Sequence, residues 1–139
     1  MSPPTPDPQA PSLSTRDADG VVASAVELVE IEEVARLLEA DAGSAAFTPA
    51  ELAFARARSD PARRLAARLA AKRAALRLLG GALSEAEVEI VRGDYGPPEL
   101  RLSPRAQGRL AALGASSALV SLTHERTHAA ALVVLVSHG

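Results

Sequence analysis

The sequence predicts an α+β domain in which helices pack on an antiparallel sheet. Three observations predict it. Residues 60–81, DPARRLAARLAAKRAALRLLGG, carry helix-forming Ala, Leu and Arg between a start signal and a glycine stop. Ala118–Thr123 and Ala129–Val136 are apolar runs of strand type joined only by His124–His128, so they read as a hairpin. The other segments give the order strand, three helices, hairpin, helix, hairpin, which places the helices against an antiparallel sheet.

Length and composition set the limits. The chain has 139 residues, which fits one domain. With two Phe, one Tyr and no Trp, the core must be aliphatic, and much of it is alanine. A thin core of this kind favours burial through oligomerisation. Absence of cysteine excludes disulfides, thiol nucleophiles and thiolate metal sites. A net charge of −2 does not point to nucleic acid. No apolar run is long enough to span a membrane, and the N-terminus lacks the basic-then-apolar plan of a signal peptide. A soluble, cytoplasmic protein is the expectation. The charge is unevenly spread: residues 24–41 hold six acids against Arg36, and residues 56–77 hold eight bases against Asp60.

Residues 1–20, rich in Pro, Ser and Asp, read as a disordered lead-in, with a domain over 21–136 and a short tail over 137–139. VVASAVELV from Val21 is a strand. Glu30–Ala40 places Ile31, Val34, Leu37 and Leu38 at helical spacing, with Gly43 as its stop. Thr48 and Glu51 form a capping box around Pro49 and open a helix to about Arg58. Asp60 caps the central helix. Ser84–Glu87 is a turn or short helical piece, and Val88–Arg92 alternates as a strand. Gly93–Pro98 is a turn, and Glu99–Leu102 pairs back across it. Ser103-Pro104 starts a helix with Leu110 and Leu113 as core contacts and Gly114 as its stop.

On the central helix, Leu65, Leu69, Leu76 and Leu79 share one arc at about 100° per residue. Lys72 falls within that arc and is the single lysine among fifteen basic residues. One reading has Lys72 snorkel to solvent; the other has this face border an anion-binding cleft. Glu27, His124 and Glu125 lie near strand ends, where each is by itself an ordinary surface group. No P-loop or nucleophile-elbow motif occurs.

Taken together, VELVEIEEVARLL, FTPAEL, RLAARLAAKRAALRLLG, YGPPEL and SLTHERTHAAALVVL occur in this order from about Val21 to Val136. The set resembles the holo-acyl-carrier-protein synthase type of 4′-phosphopantetheinyl transferase. The resemblance implies that family's α+β fold and transfer of the 4′-phosphopantetheine arm of coenzyme A to a serine of an acyl carrier protein. It also implies Mg²⁺ on the diphosphate, phosphate contacts from the helix and the strand-end His, and trimers with sites between subunits. By position, Glu27 matches the metal-binding Asp, Lys72 the helix Lys, Arg77 a phosphate-contacting Lys, and Glu51 the Glu of Phe-Thr-x-x-Glu. Gly96 and Pro98 match a Gly-x-Pro turn, and Ser121, Thr123, His124 and Glu125 match Ser-x-Ser-His-Glu. So implied, Glu27, Lys72 and His124 are catalytic, and Lys72, Arg73, Arg77, Ser121, Thr123 and His124 hold coenzyme A. Glu27 is what remains for the metal.

Three departures stand out. Arg73 occupies the place of the second metal-binding carboxylate, Glu33 that of an arginine, and Ala23 and Ala25 those of two glycines. A guanidinium has no acceptor for a metal. Either Arg73 supplies the diphosphate with a permanent charge, or the chain is a catalytically impaired homologue. In the second case it would bind coenzyme A or carrier protein, or serve as partner subunit in a mixed trimer. Glu33 and Arg73 are candidates to pair.

Overall fold

The structure, a computed structural model, describes residues 20–92 and 97–138. The lead-in up to residue 19, and the part of the Gly93–Pro98 turn that holds Gly96, lie outside the described residues. The elements are β1 (Gly20–Glu30), α1 (Ile31–Glu39), α2 (Pro49–Arg56), α3 (Pro61–Leu79), β2 (Val88–Val91), β3 (Glu99–Leu102), α4 (Pro104–Ala112), β4 (Ser117–His124) and β5 (His128–Ser137). Short 3₁₀ turns precede α2 and β2. β1, β5 and β4 form one antiparallel sheet in that spatial order, and β2 and β3 form a separate hairpin. Gly20 pairs with Ser137, so β1 and β5 each run one residue past the domain limits read from sequence.

α3 is the centre of the packing. Counting about 100° per residue, Ala67, Ala70, Ala71 and Ala74 fall on one side, and all are buried. They pack with Ala129, Ala131, Val133 and Ala25 of the sheet. Small side chains on both surfaces let helix and sheet approach closely, which suits a core with so few aromatics. Leu65 and Leu69 face the other way, toward Val34, Phe47 and Leu52.

The helix ends differ in part from expectation. Thr48 caps α2 through the capping box, as its sequence requires. Asp60 occupies the N-cap position of α3 but makes no cap hydrogen bond; its Oδ1 accepts from Arg64 Nε at 3.1 Å. α1 ends before Gly43: Ala40 is its C-cap, and Asp41 then takes a left-handed φ of 54° and donates to Leu38 O. Gly43 is buried instead, and a Cβ there would stand 3.3 Å from a Leu52 methyl. Leu113 is 37 % exposed, so Leu110 anchors α4 without it.

Candidate active site

Lys72 is fully buried, so it neither snorkels nor borders a cleft. Its Nζ donates to Glu51 Oε1 at 2.6 Å. The same carboxylate accepts from Thr48 N and Ile90 N, both at 2.9 Å. Glu51 therefore has three donors, and the ion pair ties α2, α3 and β2 together. An arginine at position 72 would bring a longer, forked group into a place shaped for one ammonium, which accounts for the single lysine.

The other cations of α3 divide across the helix. At about 100° per residue, Arg64 and Arg68 lie opposite Arg73 and Arg77. The predicted convergence of Arg73 and Arg77 with His124 is absent within one chain, because the body of α3 separates them.

On the β1 side, four charges alternate. Arg73 Nη1 lies 3.1 Å from Glu33 Oε2, and Arg77 Nη1 lies 3.2 Å from Glu27 Oε1. Arg77 Nη2 also donates to the Val26 carbonyl at 2.9 Å. The candidate pair Glu33–Arg73 is thus formed, and Glu27 pairs with Arg77. All four side chains are partly exposed.

At the far end of β4 the field is cationic. Arg64, Arg68 and Arg92 line a hollow of 320 Å³ together with Ala67, Leu122, Thr123 and His124. Arg68 is 3 % exposed, and its guanidinium stacks 4.1 Å from the centre of the Phe54 ring. Its Nε has no hydrogen-bond partner among the described residues. Loss of hydration pulls its pKa down to about 10, while Glu51 acts in the opposite direction. The group stays charged at neutral pH. A hollow lined by three arginines, one of them buried and with an unpaired donor, is a place for an anion. Sequence reading missed Arg64, Arg68 and Arg92, since among fourteen arginines nothing in spacing alone marks these three.

Thr123 and His124 line a second hollow, on the outer side of the sheet, with Leu28, Glu125 and His128. Ser121 is exposed on that outer face, opposite Leu132. The letters His124-Glu125-Arg126-Thr127-His128 also match the H-E-x-x-H spacing that binds zinc when it lies along one helix face. Here they close a strand-to-strand turn, with Glu125 N donating to His128 O at 2.8 Å. Among the described residues no cluster of three His, Asp or Glu could hold a metal.

No protein-family model matches the sequence. Individual proteins do. The holo-[acyl-carrier-protein] synthase of Thermus thermophilus is 44 % identical over 119 residues, which is 83 % of this chain and 93 % of that protein. The crystal structure of holo-[acyl-carrier-protein] synthase from Neisseria meningitidis is 28 % identical with a TM-score of 0.72, covering 84 % of this chain and 98 % of that one. The Helicobacter pylori enzyme in complex with coenzyme A shares the fold at a TM-score of 0.69 and 20 % identity, over 81 % of this chain and 99 % of that one.

Proposed function

Because this chain belongs to the holo-[acyl-carrier-protein] synthase family, we propose that it transfers the 4′-phosphopantetheine arm of coenzyme A to a serine of an acyl carrier protein in the cytoplasm. The observation that carries this reading is the cationic hollow of Arg64, Arg68, Arg92 and His124, lined in part by the buried Arg68. Coenzyme A is an anion with several phosphates, and it supplies the acceptors that this hollow lacks. In the reaction, the serine oxygen attacks the phosphorus that bears the pantetheine arm. A new P–O bond forms, and the P–O bond to 3′,5′-ADP breaks with its electron pair leaving on the nucleotide. The serine proton passes to a base, and Glu27, matched by resemblance to the metal-binding Asp and left here without a metal, is the carboxylate proposed for that role.

The magnesium that the resemblance implies does not suit these residues. Glu27 is engaged by Arg77, and Arg73 stands where a second carboxylate would be needed. A hard cation needs several oxygen ligands, and two guanidiniums would repel it. Lys72 is assigned a structural role in place of a catalytic one, since its charge is spent on Glu51 inside the core.

A homotrimer completes the proposal. Val26, Leu28, Leu119 and Leu132 are exposed on the outer face of the sheet. Register places Val26 beside Leu132, and Leu119 beside Val134. An apolar sheet face of this kind suits a second copy. It would bring the His124 end of one chain to the Glu27 side of the next, joining the groups that α3 keeps apart in one chain. Among the described residues no helix is long and apolar enough to cross a membrane.

The test is the intact mass of an apo acyl carrier protein incubated with the enzyme and coenzyme A. Gain of one phosphopantetheine, absent when the carrier serine is replaced by Ala, is expected. Coenzyme A binding with no mass gain would favour the second reading, a binding subunit, to which the neutralised Glu27–Arg77 and Glu33–Arg73 pairs lend weight.

A further inference from the structure

We infer that this chain holds the diphosphate of coenzyme A without a divalent cation, by exchanging Glu33 and Glu27 for phosphate oxygens on Arg73 and Arg77. The inference deepens the reading above and rests on it.

The four charges sum to zero, and each acid faces one guanidinium. Arg73 and Arg77 are four residues apart on one face of α3, a spacing that puts their Cβ atoms about 5–6 Å apart. That separation suits two neighbouring phosphates. A guanidinium offers forked donors to phosphate and keeps its charge at any physiological pH. The pairs that hold these forks now are weak, because all four side chains reach solvent. An incoming dianion competes for them with better geometry than a carboxylate, and the freed Glu33 and Glu27 are already at the surface. Arg77 keeps a second anchor throughout, its 2.9 Å bond to the Val26 carbonyl, so that guanidinium is positioned before the ligand arrives.

Two consequences separate this arrangement from a metal site. Added Mg²⁺ is repelled by the two guanidiniums already on the diphosphate, so it does not strengthen coenzyme A binding. Glu33 acts as a competitor of the ligand, so its removal strengthens binding.

Calorimetric titration with coenzyme A, in excess EDTA and again in millimolar Mg²⁺, tests both. Wild type is expected to give the same Kd in the two buffers within about twofold. In EDTA, Glu33→Gln is expected to bind several-fold tighter, and Arg73→Ala about tenfold more weakly. The double variant Glu33→Arg, Arg73→Glu keeps the pair with its polarity reversed and is expected to gain Mg²⁺ dependence. A wild type that binds at least tenfold tighter in Mg²⁺ would overturn this inference and leave the proposed function standing. Weaker or unchanged binding by Glu33→Gln would likewise overturn the exchange. No binding by wild type in either buffer would remove the coenzyme A reading and this inference with it. The wild-type comparison decides the metal question even if the double variant fails to fold.

Discussion

Lys72 and Arg68 sit four residues apart on α3, both buried and both cationic, yet one is satisfied and the other is not. Lys72 has Glu51 at 2.6 Å, while Arg68 leaves its Nε unused beside an open hollow. The first is therefore a support of the fold, and the second is the proposed receptor for charge. Removing one member of a buried pair strands the other, so Lys72→Ala is expected to cost about 3–5 kcal/mol. The double change Glu51→Gln, Lys72→Met should recover most of that loss. Urea unfolding of wild type and the two variants checks both values; a Lys72→Ala protein within 1 kcal/mol of wild type, a threshold about a third of the smallest expected loss, would contradict the structural role. The sequence showed Lys72 to be exceptional but could not show which way it pointed. Its arc was read correctly, but the partner that decides its role lies 21 residues away. Glu33–Arg73 was legible as a candidate pair because two departures from the family pattern were opposite in charge. The Glu27–Arg77 pair was not, since neither residue signals the other in the chain.

Elements were easier to read than side-chain partners. Strand and helix patterns depend on neighbours in sequence, and each helix and strand anticipated from them is present within a few residues. The errors fall where tertiary contact decides. Gly43 looked like a helix stop, but it is small because Leu52 and Leu38 crowd it. Leu113 looked like core, but it is partly exposed, and α4 buries Ala106 and Leu110 instead. The alanine side of α3 is buried against the alanines of β5. Ala70→Leu should therefore overpack the helix–sheet contact and lower stability by about 1–3 kcal/mol, read as a lower midpoint in the same urea unfolding. A second test at this scale concerns Glu87, which links the turn before β2 to α4. Its carboxylate accepts from Arg105 at 2.8 and 3.0 Å, from Ser84 N at 2.9 Å and from Ser103 Oγ at 3.2 Å. The Arg105 hydrogen bonds, foremost, hold its pKa at about 2 against an ordinary 4.5. A carboxyl with a depressed folded pKa contributes stability that is complete above the ordinary value and fades as pH falls toward the depressed one. The stability gap between wild type and Glu87→Gln should then be constant from neutral pH to about 5 and close between about 4.5 and 2. Thermal unfolding followed across that range is the check, and a gap that persists at pH 2 would contradict it.

At the scale of the whole molecule, the cationic hollow and the Glu27 quartet are two parts of one proposed site, set on opposite sides of α3. The sequence grouped His124 with Glu27, Arg73 and Arg77 because family motifs are read along a line. The fold places them apart because β4 and β1 are separated by β5. An outer sheet face with Val26, Leu28, Leu119 and Leu132 exposed offers the surface through which copies would unite them. Val26→Lys is expected to shift the protein from trimer to monomer in sedimentation and to lower transfer with the fold intact. A wild type that sediments as a monomer would remove that part of the proposal. The account's central claim is that Arg68 and its neighbours receive a phosphate of coenzyme A. Titration calorimetry with 3′,5′-ADP, on wild type and on Arg68→Ala, tests it most directly. Binding by wild type that weakens at least tenfold in Arg68→Ala, about the loss of one charge-assisted bond, is the result expected. Equal binding by the two proteins would contradict it.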